Sequence, residues 1–353
     1  MKNHYTINGI QQVGIGVLNA KEAWDWYKKY FHFDLPVFDE EAEAKLMLPH
    51  TEGLPRKRHA ILALNYQGGG GLEIWQHTSF VSRPCNFEIL PGDLGISILK
   101  IKVKDVIKTY DYFSKEGLNI LTELVDDPIG RKIFYVKDPY NNLVEIIESE
   151  DWHSDKALHS GGVYGVTLGV SDIDSVVSLY RDILKYDVVL SDKTGIFTDF
   201  STLTNTENTY RRVILTHKNN RNGAFSNLLG KTELELVQMI DQTPRHIYKD
   251  RMWGELGYIH LCFDVNNLGD LKEILNNQGF PFTVDSANSF DMGEAAGRFA
   301  YIEDNDGTLI EFVETHKVPI LKKLKIYYDL RKRKSQKPLP GLFLWAMSLM
   351  RVK

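Results

Sequence analysis

Four residues far apart in this chain have the chemistry of a divalent-metal centre: Gln12, Glu73, His260 and Glu311. One imidazole, one amide oxygen and two carboxylates form a hard, oxygen-rich donor set. It suits Mg²⁺, Mn²⁺, Fe²⁺, Ni²⁺ or Zn²⁺ without choosing among them. Four such ligands leave positions for two substrate oxygens, and the ion would stabilise an enolate or enediolate as a Lewis acid. A carboxylate at its side could take the proton alpha to a carbonyl. The structural alternatives are a polar strand residue near a sheet edge for Gln12 and a hydrogen-bonded core histidine for His260. An in-facing Glu between apolar strand neighbours is costly unless paired or ligated, and that weakens the structural reading of Glu73 and Glu311.

The elements that must position these residues recur. A short strand ending in Val, followed by a capped helix, occurs four times. The copies are IQQVGIGV with NAKEAWDWYKKYFHF, SILKIKV with KDVIKTYDYFSKEGL, VYGVTLGV with SDIDSVVSLYRDILKY, and YIHLCFDV with NNLGDLKEILNNQGF. Asn19 with Glu22 makes a capping box, Asp105 and Asp172 are N-caps, and Gly117 and Gly279 are C-cap glycines. Ala23, Tyr27 and Phe31, with Trp24 beside them, form the buried stripe of the first helix. Each helix is followed by more strands, the last carrying a Glu: GLEIWQ (Glu73), NNLVEIIES (Glu145), ELELVQM (Glu235) and GTLIEFVET (Glu311). The turns in KDPYNNL and EDNDGTL precede two of them. The repeating unit is therefore β-α-β-β-β.

This architecture, with the phrases DPYNNLVEI and DNDGTLIEF as closing hairpins, resembles the vicinal oxygen chelate superfamily over residues 8–315. That group holds the glyoxalase I, methylmalonyl-CoA epimerase, bleomycin-resistance and extradiol-dioxygenase families. The resemblance implies an α+β fold in which four modules form two curved mixed β-sheets, with metal ligands on the first and last strands of each module. It divides the chain into a first glyoxalase-like domain, 1–150 (modules 8–80 and 94–150), a linker at 151–160, and a second domain, 161–316 (modules 161–240 and 255–316). A tail follows at 317–353.

The first-strand ligand slot then holds Gln12, Ile98, Gly165 and His260, and the last-strand slot Glu73, Glu145, Glu235 and Glu311. If modules pair in sequence, the better site is Glu235, His260 and Glu311. If module one pairs with four and two with three, one site collects Gln12, Glu73, His260 and Glu311, and the other keeps only Glu145 and Glu235. The second pairing is favoured, because it gathers every nitrogen-bearing ligand in one place and matches the Gln, Glu, His, Glu order of glyoxalase I. The resemblance makes Glu311 the shuttling base and Glu73 the second candidate. It makes His260 a neutral ligand held by a further partner.

The expected activity is that of a metal-dependent lyase, isomerase or epimerase acting on a small substrate with vicinal oxygens. The alternative is a metal-free binding protein of the bleomycin-resistance type, with a pocket lined by Trp75 and Phe87. Ring-cleaving dioxygenase chemistry is disfavoured because Gly165 stands where a His ligand belongs. Gly16 occupies the slot of the glutathione-binding Arg of glyoxalase I, which argues against lactoylglutathione. Gly68 to Gly71 form a loop or hairpin with no GxxxxGK after it, so they are no phosphate loop. Leu46 to Leu48 are packing or pocket lining. Arg211 and Arg212 are either solvated surface or contacts for an anionic substrate.

The whole chain sets the frame. With 353 residues, 43% hydrophobic and 25% charged, it is of ordinary globular composition and long enough for two domains. A net charge of −5 points away from nucleic acid. Cys85 and Cys262 belong to no CxxC pair and are expected as lone thiols. No apolar leader and no run long enough to span a bilayer is evident, so the expected location is cytoplasmic, as a monomer or homodimer. The tail complicates this. LKKLKIYYDLRKRKSQ is basic and expected to be helical, and the run from Leu342 to Met350 is apolar but short. Such a tail either packs over its own sheet or makes peripheral membrane contact through 318–353.

Overall fold

The computed structural model describes residues 5–218, 220–287, 290–291, 296–321, 326–333 and 337–352. The four expected modules are all present. Module one comprises β1 (Thr6–Gly16), α1 (Ala20–Phe31), β2 (Leu35–Glu43), β3 (Lys57–Leu64) and β4 (Gly71–His77). Module two comprises β5 (Gly95–Val103), α2 (Val106–Glu116), two short strands β6 (Asn119–Ile120) and β7 (Val125–Asp126), then β8 (Lys132–Lys137) and β9 (Leu143–Glu148). Module three has β10 (Ser160–Gly169), α3 (Ile173–Ser178), β11 (Val188–Gly195), α4 (Thr198–Thr204), β12 (Tyr210–Thr216), α5 (Ser226–Leu229) and β13 (Glu233–Met239). Module four has β14 (Gly257–Asn266), α6 (Leu268–Asn277), β15 (Val284–Asp285), β16 (Phe290–Asp291), β17 (Ala296–Glu303) and β18 (Leu309–Leu321).

These strands build two mixed sheets, and each sheet takes one module from each half of the chain. The first runs β15-β17-β18-β14-β1-β4-β3-β2, with β16 beside β17. The second runs β11-β12-β13-β10-β5-β9-β8-β6, with β7 beside β8. Modules one and four therefore share a sheet, as do modules two and three. The first strands meet antiparallel at the centre of each sheet, β1 with β14 and β10 with β5. The closing strands lie parallel to them, β4 on β1 and β18 on β14. Two buried tyrosine bonds tie the modules within each half. Tyr27 on α1 donates to Asp138 in the closing turn of module two at 2.8 Å, and Tyr180 donates to Asp304 in that of module four at 2.8 Å.

Alternation along the strands separates two faces. Val13 and Ile15 on β1, Leu72 and Ile74 on β4, Leu261 and Phe263 on β14, and Ile310 and Phe312 on β18 join Tyr27 and Phe31 of α1 in a core shared by both sheets. Gln12, Glu73, His260 and Glu311, one residue out of step, therefore point to the opposite, concave face. Register shifts in the β1–β14 pairing at Ile7/Gly9, Ile10/Gln12 and Gly14/Ile15 bend the strands beside these residues. The N-caps match the sequence: Asn19 accepts from the amides of Lys21 and Glu22, Asp105 from Lys108, and Asp172 from Asp174.

The tail differs from expectation. Within the segment expected to be helical, β19 (Ile326–Asp329) pairs antiparallel with the end of β18, followed by a short 3-10 turn, Leu330–Lys332; residues 322–325 and 334–336 lie outside the described ones. An open sheet edge offers unpaired backbone groups, and β19 satisfies those of β18. The helical part of the extension comes later, as α7 (Gly341–Ser348), folded back onto the first sheet. Among the described residues no helix is long and apolar enough to cross a membrane. Both cysteines are free, and Cys262 is buried.

Candidate metal centre

The exchanged pairing brings Gln12, Glu73, His260 and Glu311 together in the middle of the first sheet. On β1 and β14, Gln12 faces Cys262 and His260 faces Gly14; on the flanking strands, Glu73 lies beside Gly14 and Glu311 beside Cys262. His260 Nε2 lies 3.1 Å from Glu311 Oε2 and 3.3 Å from Glu73 Oε2. Gln12 Nε2 donates to the same two oxygens, at 3.3 Å and 3.4 Å. One oxygen of each Glu is thus turned toward the imidazole and the amide. All four residues are buried, His260 completely.

Burial lowers the proton affinity of His260, but the carboxylates of Glu311 and Glu73 outweigh it and raise its pKa to about 9. The same burial, followed by Glu311, pushes the Cys262 thiol and the Tyr301 phenol well up. Both stay neutral around the carboxylate. Tyr301 stands directly across from Glu311 and meets the His260 ring edge-on at 5.5 Å, while Trp253 lies nearly parallel to that ring at 6.5 Å.

Gly14 is what lets the imidazole lie where it does. A Cβ on Gly14 would stand 2.3 Å from His260 Cε1, a distance that packed atoms cannot adopt. Gly16 is equally closed, since a Cβ there would be 1.9 Å from the carbonyl oxygen of Glu255. No side chain, arginine included, fits that slot beneath this backbone. The sequence marks Gly16 only by the missing arginine and Gly14 not at all, because each owes its role to a segment that arrives from module four or just before it.

The donor set fits a divalent ion on two observations. One donor atom each from Glu73, His260 and Glu311 lies within 4.8 Å of the other two. Both ring nitrogens of His260 and Oε1 of Gln12 are buried without an aligned hydrogen bond. Buried polar atoms are rarely left this way unless something else completes them. Rotating the Gln12 amide by half a turn would exchange its NH₂ for its oxygen, giving a cation an acceptor in place of a donor. The further partner expected on His260 Nδ1 is not found among the described residues.

The corresponding place in the second sheet is filled differently. Lys100, two residues after the blank slot at Ile98, sends Nζ between three buried carboxylates: Glu235 at 2.7 Å, Glu145 at 3.1 Å and Glu233 at 3.2 Å. Arg212 adds a bond of 2.7 Å to Glu235 and another of 2.7 Å to Asp199, and Arg131 bonds Glu233 at 2.8 Å. Burial favours protonation of Glu235, but Arg212 and Lys100 outweigh it and hold it at about 2. Burial wins at Glu145, which rises to about 7 in spite of Lys100. Here the cations are side chains. Sequence reasoning placed Glu145 and Glu235 together but missed Lys100, Glu233, Arg131 and Asp199. The signal was present in Lys100, a charge between Leu99 and Ile101 in an otherwise apolar strand. Arg212 is fully buried in this cluster and Arg211 pairs with Asp192 and Asp174, so neither is free for an anionic substrate.

A cavity of about 480 Å³ opens from the first centre. Gln12, Glu73 and Glu311 stand in its wall with Trp75, Trp253 and Tyr301, and Leu46 and Met47 line it as expected. Phe87 does not; it stacks against the Arg245 guanidinium elsewhere. The glycine run is a hairpin loop between β3 and β4 packed against other backbone, where a Cβ on Gly68 would reach within 2.0 Å of the carbonyl oxygen of Gly161.

Two sheets, each pairing modules from opposite halves of the chain with the same two slots on its central and closing strands, define a class of proteins built from β-α-β-β-β repeats. The model of the Glyoxalase/Bleomycin resistance protein/Dioxygenase superfamily matches residues 9–146. Solved structures share the whole fold. A glyoxalase I mutant from Zea mays superposes with a TM-score of 0.58 at 14% identity, covering 88% of this chain and 93% of its own. A putative dioxygenase from Bacillus subtilis gives 0.55 at 12% identity, covering 88% and 86%. No curated protein matches the sequence. The first half of the chain thus carries the sequence pattern of this superfamily, also called the vicinal oxygen chelate superfamily, and the chain shares the fold of these structures.

Proposed function

We propose that this protein is a divalent-metal-dependent lyase, isomerase or epimerase acting on a small substrate with vicinal oxygens. Gln12, Glu73, His260 and Glu311 would be the ligands. The observation that supports this reading is the buried convergence of the Glu73, His260 and Glu311 donor atoms within 4.8 Å, beside a Gln12 oxygen and histidine ring nitrogens that have no aligned hydrogen bond. Such an ion, when bound, supplies Lewis acidity to the substrate oxygens.

The chain's own residues do the rest. Glu311 is the first candidate to accept the proton alpha to the substrate carbonyl and to return it, with Glu73 the second. Tyr301 and Cys262, both held neutral, keep competing charge away from Glu311. Trp75, Trp253 and Tyr301 wall the site and exclude water from the reacting carbon. The outer face of the tail, with Leu342 and Trp345 of α7 and Leu349 just beyond it exposed, supports a further reading in which the tail rests on a membrane surface.

Elemental analysis of protein purified without chelator tests the metal reading. About one divalent ion per chain is expected, falling at least tenfold in His260→Ala. Glu311→Gln should retain part of the metal and lose proton exchange at the alpha carbon of α-hydroxyketones. Protein with no bound metal and no affinity for added metal would leave a binding protein of the bleomycin-resistance type, for which the apolar cavity is the supporting observation.

A further inference from the structure

The cavity beside the centre extends well beyond what two chelating oxygens need. From Gln12, Glu73 and Glu311 it runs to a wall of Leu35, Leu62, Leu64, Leu228, Leu229 and Phe225. The first five of these are at most 5% exposed, and all six belong to an apolar cluster separate from the main core. The wall is completed by the tail, whose Met347 and Met350 line the same cavity.

The tail is secured at both ends of α7. Leu339 donates its amide to the Ala224 carbonyl at 2.9 Å. Beyond the helix, Arg351 grips the Asp34 carboxylate through Nε and Nη2 at 2.6–3.0 Å, and Val352 donates its amide to the Asp34 carbonyl at 2.8 Å. Asp34 directly precedes Leu35, so the clamp lies beside the cavity wall. Leu344 is buried in the apolar cluster, and Phe343 packs on Tyr328 at 5.0 Å. Interiors are normally close-packed, and ordering a terminal segment costs conformational entropy. Here ordered chain encloses an apolar volume instead of filling it, and that volume is continuous with the polar centre. Methionines at the closing wall add a surface that adapts to chains of different shape.

Resting on the metal reading above, we infer that the substrate is amphiphilic: a head with two adjacent oxygens placed at Glu73, His260 and Glu311, joined to an extended apolar chain that lies between the first sheet and α7. The apolar chamber sets specificity by the length of the chain. Its inner wall is Leu, Phe and Met, which suits an alkyl chain, while Glu40, Glu43, Lys45, Arg58 and Lys317 line other parts of the same cavity.

Straight-chain alkyl hydroxamates test this, because they combine two vicinal oxygens with a chain of chosen length. Calorimetric titration of metal-loaded protein with acetohydroxamate, hexanohydroxamate, octanohydroxamate and decanohydroxamate should show affinity rising by about fourfold per methylene until the chamber is full. Met347→Trp should stop that rise at a shorter chain while leaving acetohydroxamate binding unchanged, with circular dichroism confirming the fold. Affinity independent of chain length would overturn the inference. As an arm free of metal, chelator-treated protein should be protected against thermal unfolding more by decanol than by butanol. If that protection is seen but no hydroxamate binds, the chamber stands and the chelating head, with the metal reading, falls. If the two alcohols protect equally, the apolar chamber is refuted whatever the metal does.

Discussion

Replacing Lys100 by Met removes the ammonium that three buried carboxylates share, at 2.7, 3.1 and 3.2 Å, while keeping most of the side-chain volume. At an effective dielectric near 20, each such contact is worth about 5 kcal/mol of Coulomb attraction, offset by the cost of taking the charges out of water. Breaking one partner out of a buried ion pair costs about 3–5 kcal/mol, because the remaining charge is left uncompensated. Unfolding entropy of about 2.1 cal/mol/K per residue over this chain gives about 0.7 kcal/mol/K, so the melting temperature should fall by about 4–7 °C. The pH dependence has a definite sign. Glu145 already has its pKa raised to about 7, chiefly by burial, above its ordinary value of 4.5. The stability linked to that proton is fully present below about pH 4.5 and is lost as pH rises through 7. Lys100→Met raises the carboxylates further, so the folded state binds more protons than the unfolded one and stability falls more steeply between pH 5 and 8. Adding Glu145→Gln should flatten the slope and recover part of the loss. Thermal melts of the three proteins at pH 5, 7 and 8 decide the matter. A Lys100→Met protein as stable as the parent at pH 8 would refute the idea that a side-chain cation holds the second centre together.

Two further outcomes follow from the geometry. Gly14→Ala places a methyl 2.3 Å from His260 Cε1 and must displace the ring, so metal content should fall at least tenfold while the far-ultraviolet circular dichroism stays that of the parent. Retention of full metal content would mean that His260 is not a ligand in the orientation seen here. Leu342, Trp345 and Leu349 lie on one exposed face of the tail and are 71%, 52% and 69% accessible. Co-sedimentation with vesicles containing phosphatidylserine should therefore be lost in Trp345→Arg; no sedimentation of the parent protein would dispose of the membrane reading.

Local pattern made much of this molecule legible. Period-two alternation places Glu73, His260 and Glu311 out of step with Ile74, Leu261 and Ile310, and so on the face opposite the core, whatever the strands pair with. Short polar caps such as Asn19 and Asp105 mark helix starts because their side chains bond amides only two or three residues away. The basic tail segment was misread for the same local reason. IYYD is short enough to suit helix or strand, and only the open edge of β18 decided for strand.

By itself, then, the sequence determined the repeat, the face on which each candidate ligand lies, and the two possible groupings of those ligands. The tertiary structure decided which grouping exists, because pairing β1 with β14 joins segments from opposite ends of the chain through contacts that no local window contains. It also decided what surrounds each centre. Around Gln12, Glu73, His260 and Glu311, two glycines and an aromatic wall leave both carboxylates facing a titratable imidazole, that of His260. Around Glu145 and Glu235, Lys100 and Arg212 bring the positive charge themselves. Buried carboxylates demand compensation in both places, and only the packed fold shows whether a side chain already supplies it.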